Sequence, residues 1–332
     1  IIDVGGSYQK LCDLLGGQLI RFKRESDLCL NPFTFVSDIE TDMHQLRPLF
    51  AQMIGPQGLG DYQLARLEEA ILKTWERCGN AARPSDLRAQ LEEGARQHSD
   101  QRLAEMAAML NAYCRGGSYG RWFDGAANVR FGASFCLLEL EELKAMPELQ
   151  AVVLMQLVFL INQQMYASRD RRKLVIIDEA WQMLRGEHTT EFIENGFRRA
   201  RKYNGAFLTA TQSVADFFSS AAARAAYVNS DWMMLLAQKS EEIARLRADG
   251  QLLLNAGEHE LLQSLATEPG RFAEILMRCE GLGTGVCRLV IDPFARLLFS
   301  SRAEDHQAIE QKRASGLAIA DALEAVLAER GQ

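Results

Sequence analysis

Four consecutive aliphatic residues, Leu174 to Ile177, are followed directly by two acids, Asp178 and Glu179, and this segment limits the possible fold more than any other. A continuous apolar run of this length is typical of a strand buried on both faces of a parallel sheet. In open α/β sheets, ligands bind beyond the carboxyl ends of the strands. We therefore expect both carboxylates at an edge where Mg²⁺ and a nucleotide phosphate could bind. The alternative is a strand end that is acidic only because it is solvated.

A second apolar segment, 206–210, ends in Thr211 and Gln212. Its distance from the first segment suits an adjacent parallel strand that is reached through one crossover helix. At the same sheet edge, the Gln212 amide could contact both a terminal phosphate and the attacking water. Alternatively, Thr211 and Gln212 only cap the following helix.

Between these two strands, the pattern predicts a helix over 189–203 that carries the arginines Arg198, Arg199 and Arg201 near its end. Basic residues near a helix C-terminus interact favourably with the helix dipole, which is a sufficient structural explanation for them. A functional alternative is that one of the three arginines reaches the phosphates bound by a neighbouring subunit.

The fold class predicted from the whole pattern is α/β with a mostly parallel, doubly wound central sheet, because strands and helices alternate along the chain. Residues 38–111 interrupt this alternation with helical periodicity alone, which predicts an all-helical insertion. We also expect a short strand at Leu28–Phe33, stopped by Pro32, and a helical tail at Asp305–Glu329. The other expected strands are 1–4, 134–140, 232–237, 271–278 and 285–292.

The composition excludes several classes of protein. A net charge of −7 argues against a protein that coats nucleic acid through its whole surface, so any DNA contact must be local. The seven cysteines occur singly and predict reduced thiols rather than a disulfide framework. The five histidines lack ligand spacing, so we expect no structural metal site.

Taken together and in order, these segments resemble the VirB/TraC class of type IV secretion ATPases, and most of all its TraC type. The resemblance covers nearly the whole chain, and the most specific part is Asp-Glu-Ala-Trp followed by Arg-Arg-x-Arg and Thr-Gln. The segments that carry it are 1–7, 30–33, 174–181, 192–201, 211–212, 223–226 and 290–293.

The resemblance implies a RecA-like P-loop NTPase core with ATP and Mg²⁺ as cofactors. Asp178 would hold Mg²⁺ through water, Glu179 would be the second Walker B acid, Gln212 the sensor, and Thr211 a nucleotide contact. One of Arg198, Arg199 and Arg201 would be a finger acting in trans.

The resemblance also implies an assembly and a place in the cell. We expect a hexamer in the bacterial cytoplasm, peripheral to the inner-membrane face, that contacts other secretion components and a coupling ATPase. The task implied is ATP-driven pilus assembly and substrate transfer.

The expected division of the chain has four parts: 1–37 and 131–300 for the core, 38–130 for the helical insertion, and 301–332 for the tail.

One departure from the family pattern is decisive for activity. The G-x-x-x-x-G-K-[ST] loop, whose backbone N–H groups cradle phosphates, does not occur in the 332 residues, and we expect it upstream of Ile1. This chain alone should therefore bind ATP weakly and turn it over poorly. Two alternatives remain open at this point: a helicase-like DNA translocase, and a module used mainly for docking and oligomerisation.

Overall fold

Five parallel strands form the central sheet of the protein, which was analysed as a computed structural model describing residues 1–23, 25–178, 196–252 and 254–331. The order across the sheet is β2-β3-β1-β4-β5, and every neighbouring pair is parallel. The predicted α/β fold class with a parallel sheet is therefore confirmed. The strands are β1 (Ile2–Asp3), β2 (Gln18–Arg21), β3 (Cys136–Glu139), β4 (Lys173–Asp178) and β5 (Gly205–Ala210).

Helices pack on the sheet, and the longest of the described helices is strongly apolar. This helix spans Pro147–Tyr166. By length and composition, it is the one helix among the described residues that could cross a membrane. In the fold, however, Val152, Val153 and Leu157 are fully buried in the main hydrophobic core. The helix is therefore explained as the core helix behind the sheet.

The block predicted to be helical is helical. Its apolar residues recur at helical spacing and pack into the same main core as the sheet, with Phe50, Leu67 and Leu103 among them. Helix starts are fixed locally, for example by Asp38, whose carboxylate accepts from Thr41 N. In chain order, the helices up to the sheet's second half are α1 (Gln9–Leu14), α2 (Ile39–Ile54), α3 (Asp61–Cys78), α4 (Pro84–His98), α5 (Gln101–Leu110), α6 (Gly120–Phe123) and α7 (Pro147–Tyr166).

The strand predicted at Leu28–Phe33 is wrong. Residues Pro32–Phe35 form a 3₁₀ helix instead, because the Asn31 side chain accepts from Phe33 N at 3.1 Å and caps it. The same amide group donates to Ala82 O and Gly125 O, both at 2.8 Å, which ties three distant segments together. Propensity favoured a strand here, but the capping bond decided for a turn.

The strand that does form in this region is β2, which the sequence pattern did not reveal. Its residues Gln18 to Arg21 include only two apolar side chains, so the apolar run is too short to stand out. It exists because it pairs with β3 from Gln18↔Cys136 to Arg21↔Glu139.

A second, antiparallel sheet follows the parallel one, and the sequence analysis did not anticipate it. Strands β8 and β9 are joined through the turn at Glu280–Leu282, which is too short to connect parallel strands. Glycines 281 and 283 adopt positive φ in this connection, where other residues would be strained. The strands are β6 (Trp232–Leu235), β7 (Thr267–Glu268), β8 (Phe272–Cys279) and β9 (Gly283–Leu289).

Of the remaining helices, the first packs into the main core, the next two pack against the second sheet, and the last three form the C-terminal cluster. The tail predicted as Asp305–Glu329 is two helices, because the chain turns at Gly316 with φ +91°. It packs on α1 through a small apolar cluster, and Arg313 pairs with Asp13 at 3.0 Å. These helices are α8 (Ala221–Val228), α9 (Ser240–Ala248), α10 (Ala256–Ser264), α11 (Pro293–Leu298), α12 (Ala303–Ala314) and α13 (Ile319–Glu329).

The substitution Asn31→Ala tests the role of the buried amide. It leaves two buried carbonyls and one N–H without partners, so we expect a loss of about 2–4 kcal/mol in unfolding free energy. Urea unfolding monitored by circular dichroism measures this loss. As a matched control, Asn111→Ala removes only an exposed bond to Arg88 and should change stability by less than about 0.5 kcal/mol. Equal effects of the two substitutions would contradict the assignment.

Candidate functional site

The carboxyl ends of the five parallel strands lie in one row. The register places Arg21 opposite Glu139, Glu139 opposite Asp3, and Asp178 opposite Ala210. Ile2 pairs with Ile177, so the next residues, Asp3 and Asp178, are neighbours. Three acids therefore end three adjacent strands at this edge, which we call the acidic rim (Glu139, Asp3 and Asp178).

Asp178 lies where the sequence predicted it, as the last residue of β4 and half-buried at the edge. Its partner in the strongest motif, Glu179, lies outside the described residues. The position of Asp178 satisfies the geometric condition for a phosphate-side carboxylate, since ligands bind beyond this end of the strands. Its chemical role stays a prediction.

Thr211 and Gln212 follow β5 at the same edge, directly beyond the residue that pairs with Asp178. The Thr211 hydroxyl donates to the Asp216 carboxylate, which also accepts from Ser213 N at 3.2 Å. Ser213, rather than Thr211 or Gln212, caps the following 3₁₀ helix. Gln212 is exposed. The fold thus brings Asp178, Thr211 and Gln212 together, and the capping role considered for the Thr-Gln pair falls to the next residue.

The three arginines lie elsewhere. Residues 196–199 are helical, and Arg201 belongs to a 3₁₀ turn, Ala200–Tyr203, that ends just before β5 begins. This is the amino edge of the sheet, separated from the acidic rim by the length of β5. Six strand residues span about 20 Å. Arg198, which is exposed, donates to Asn229 at 3.4 Å. The fold does not bring Arg201 to Asp178 within one chain.

Asp3 and Glu139 lie at the same edge as Asp178, although the sequence pattern did not single them out. Both are buried, with 3% and 5% of their surface exposed. Asp3 accepts from Val4 N at 2.8 Å and Tyr8 N at 3.4 Å, while Glu139 Oε1 accepts from Glu141 N at 3.0 Å. A signal for them existed. Ile-Ile-Asp at 1–3, Leu-Leu-Glu at 137–139 and Ile-Ile-Asp at 176–178 are one repeated pattern of two aliphatics and an acid.

Burial raises the pKa of the Glu139 carboxyl, and the neighbouring charge of Asp3 raises it further. The hydrogen bond from Glu141 N acts in the opposite direction. Glu139 Oε2 has no hydrogen-bond partner of good geometry among the described residues. Ionisation of the acids at the rim therefore costs free energy, and binding of a cation or a proton there would be favourable.

A cavity of about 430 Å³ opens on this edge, beside the rim on the side of β2 and β3. Its walls come from the turn after β1, the ends of β2 and β3, and the C-terminal helices, and they carry both charges. Asp178 and Thr211 do not line it. This cavity is therefore distinct from the position where Asp178 and Gln212 converge.

The donor set suits Mg²⁺ only in part. Carboxylate oxygens are the protein ligands that Mg²⁺ prefers, and it commonly keeps several waters and binds through one or two carboxylates plus phosphate oxygens. Within the described ranges, no three His, Cys, Asp or Glu side chains converge tightly enough to hold a metal ion by themselves. Asp178 would be able to serve as one such carboxylate, while phosphate oxygens and waters would supply the other ligands.

Comparison with known proteins gives one family and two relatives. The TraG P-loop domain family model matches residues 83–330, about three quarters of the chain. Protein TraC of Escherichia coli (strain K12) is 32% identical over 342 aligned residues, which cover 97% of this chain and 38% of that protein. The chain thus spans 38% of the length of this curated relative.

Among solved structures, VirB4 of Thermoanaerobacter pseudethanolicus shares the fold with a TM-score of 0.70 at 21% identity. The alignment covers 92% of this chain and 82% of that one. Both relatives are of the class that the motifs resemble.

The substitution Glu139→Gln tests the electrostatics of the rim. A raised carboxyl pKa means that the folded state loses stability as pH rises through it, because a buried acid must then ionise. At pH 7 we expect Glu139→Gln to be more stable than the parent by on the order of 1 kcal/mol. Near pH 4 the difference should vanish. Thermal unfolding between pH 4 and pH 8 measures it, and a variant that is less stable at pH 7 would show instead that the charged carboxylate is favourably bound.

Proposed function

The chain belongs to the TraG P-loop domain family, and on that premise we propose that it is the C-terminal ATPase module of a type IV secretion motor of the conjugation type. The single observation that carries the proposal is the convergence of Asp178 with Thr211 and Gln212 at the carboxyl edge of two paired parallel strands. This is the edge where α/β sheets bind nucleotides.

Within this proposal, each residue predicted for the nucleotide site has a defined task. Asp178 would hold Mg²⁺ through its water ligands, and Glu179, the next residue in the chain, would orient or deprotonate the attacking water. Gln212, exposed beyond β5, contacts the terminal phosphate and reports its presence. Thr211 is a nucleotide contact whose orientation is fixed by Asp216. When bound, Mg²⁺ neutralises charge that develops on the phosphates.

Asp3 and Glu139 support this site from the neighbouring strands. Asp3 lies beside Asp178 and is held by two backbone N–H groups, so its charge adds to the negative potential at the rim. A divalent cation at Asp178 would relieve the repulsion among these acids.

The separation of the two sheet edges supports a finger that acts between subunits. Arg201 lies just before the start of β5, whereas the rim lies at the other end of the strands. Arg201 can therefore complete a phosphate site only on another copy of the chain. Such a contact joins unlike surfaces of identical subunits, which gives a closed ring when the rotation closes. We propose a hexameric ring in which Arg198, Arg199 or Arg201 provides this contact.

The wider role follows the relatives. We propose that the protein is found in the bacterial cytoplasm at the inner-membrane face, and that it works with other secretion components and a coupling ATPase. Its hydrolysis of ATP would power pilus assembly and substrate transfer. The division into a core at 1–37 and 131–300, a helical insertion at 38–130 and a tail at 301–332 belongs to the same proposal.

Activity should require more than these 332 residues. They contain no Gly-Lys-Ser or Gly-Lys-Thr end of a phosphate loop, and that loop supplies most phosphate contacts in this class of enzyme. The chain by itself should therefore bind ATP weakly.

The proposal is tested in a longer protein that includes a phosphate-binding loop. There, Glu179→Gln should lower kcat by about 10²–10⁴-fold, because a general base is removed. Nucleotide affinity should stay within a few fold of the parent. Steady-state ATPase assays and nucleotide titration measure both quantities. Glu142→Gln, an exposed acid near the rim, serves as the control and should leave kcat unchanged. Normal hydrolysis by the Glu179 variant would remove the catalytic assignment.

Mixing two inactive variants tests the finger. A Glu179→Gln copy keeps the arginine, and an Arg201→Ala copy keeps the glutamate. If the arginine acts in trans, an equal mixture should recover about a quarter of the parent activity, since one ordered pair in four is complete in a randomly mixed ring. The same mixing with Arg198→Ala and Arg199→Ala identifies which arginine acts. An arginine whose alanine variant is active by itself is not the finger. Inactive alanine variants that stay inactive when mixed with the Glu179→Gln copy would contradict action in trans.

A further inference from the structure

Two basic runs that are thirty residues apart in sequence come together at the amino edge of the parallel sheet. One is the turn before β4 and the other is the 3₁₀ turn before β5. Their exposed cations other than the three candidate finger arginines, which we call the basic edge, are Arg169, Arg171, Arg172 and Lys202.

Specific contacts hold the two runs side by side. Lys173 N donates to Asn204 O at 2.9 Å, and the Asn204 amide donates to Arg169 O at 2.5 Å. The Arg169 guanidinium lies over the Tyr203 ring at 5.0 Å from its centroid, and Tyr203 packs on Tyr166 at 4.7 Å. The cations therefore project from a defined platform rather than from a loose loop.

The charge of the basic edge is not neutralised within the described part of the chain. None of its four cations takes part in an ion pair there, although many other arginines do. One acid, Asp170, lies between Arg169 and Arg171 in the sequence and is exposed. A single negative charge leaves the cluster positive. In a chain of net charge −7, such a cluster indicates a local anionic partner.

Exposed apolar side chains lie on the face of the sheet that begins at the basic edge. Leu174, the second residue of β4, is 57% exposed, and Leu208, on the neighbouring strand and the same face of the sheet, is 42% exposed. Ala206, which pairs with Leu174, is exposed between them. A surface that combines arginines with exposed leucines binds most favourably to a partner that offers both anionic groups and an apolar layer.

We propose that the basic edge, with Leu174, docks the protein on an anionic membrane surface. Phospholipid headgroups supply the anions, and the interfacial region accepts the leucine. Nucleic acid fits less well, because it offers nothing to the leucines and its bases need free aromatic faces, whereas Tyr166 and Tyr203 are half-buried against each other. The inference rests on the peripheral membrane location proposed above and names the surface that makes the contact.

Vesicle flotation with the 332-residue protein tests this docking surface. We expect binding to vesicles of phosphatidylethanolamine and phosphatidylglycerol, weak binding to pure phosphatidylcholine, and a steep fall as salt is raised. The double variant Arg171→Gln/Arg172→Gln should lower the partition coefficient about 25-fold, from about fivefold per arginine near an anionic surface. Neither arginine belongs to the proposed phosphate site, so ATP-binding and subunit-mixing assays report separately on the proposed function.

Matched controls keep the result specific. Arg96→Gln/Arg130→Gln removes the same charge from two exposed arginines that make no ion pair in the described ranges, and it should change binding by less than twofold. Leu174→Ser should weaken binding several fold, whereas Leu282→Ser, at a residue 79% exposed in the turn of the second sheet, should not. Circular dichroism confirms that each variant is folded.

Three outcomes would overturn the proposal. The first is absence of binding to anionic vesicles at low salt. The second is an equal loss in the two double variants, which would indicate a general charge effect. The third is full displacement from vesicles by a single-stranded oligonucleotide together with no effect of Leu174→Ser, which would assign the basic edge to nucleic acid.

Discussion

Parallel pairing of β3, β1 and β4 is the interaction on which the rest of the molecule depends. It aligns strands that each end in an acid, so that Glu139, Asp3 and Asp178 meet at one edge. The aliphatic residue before each acid, Leu138, Ile2 or Ile177, is buried in the main core, so the acids share one boundary between core and solvent. The expectation that β4 is buried on both faces is wrong, because Leu174 is 57% exposed. Backbone N–H groups of Val4, Tyr8 and Glu141 offset part of the burial of these carboxylates. What remains is a negative rim suited to a cation.

The same parallel arrangement gives the sheet two chemically different edges. Acids and the Thr-Gln pair lie at the carboxyl edge, whereas the arginine-rich turns lie at the amino edge, a strand length away. One chain therefore cannot bring its own Arg201 to its own Asp178. Any chemistry that needs both groups must involve two copies. A partner that binds the arginine-rich turns of one chain approaches from the side opposite to the nucleotide of that same chain.

Buried polar groups fix how the helical block sits against this sheet. Asn31 links the segments at Ala82 and Gly125, and Asp124 accepts from Ser85 and Arg115. These bonds have direction, unlike apolar contacts, so they specify one arrangement of the α2–α5 helices. A hydrophobic core alone would permit several arrangements of comparable energy.

The sequence by itself determined the helices of residues 39–110 through their helical periodicity, and β4 and β5 through short apolar runs that end in polar residues. It also located Asp178, Thr211 and Gln212, since residues that directly follow a buried strand must lie at its end. Tertiary structure alone decided the rest. The strand β2 exists only through its pairing with β3, and the second sheet depends on a connection too short for parallel pairing. Asn31 turned an expected strand into a 3₁₀ helix through one side-chain bond. The rim and the basic edge each combine residues that are far apart in the chain, and no local pattern specifies which strands pair, because that choice is made by the packing energy of the whole domain.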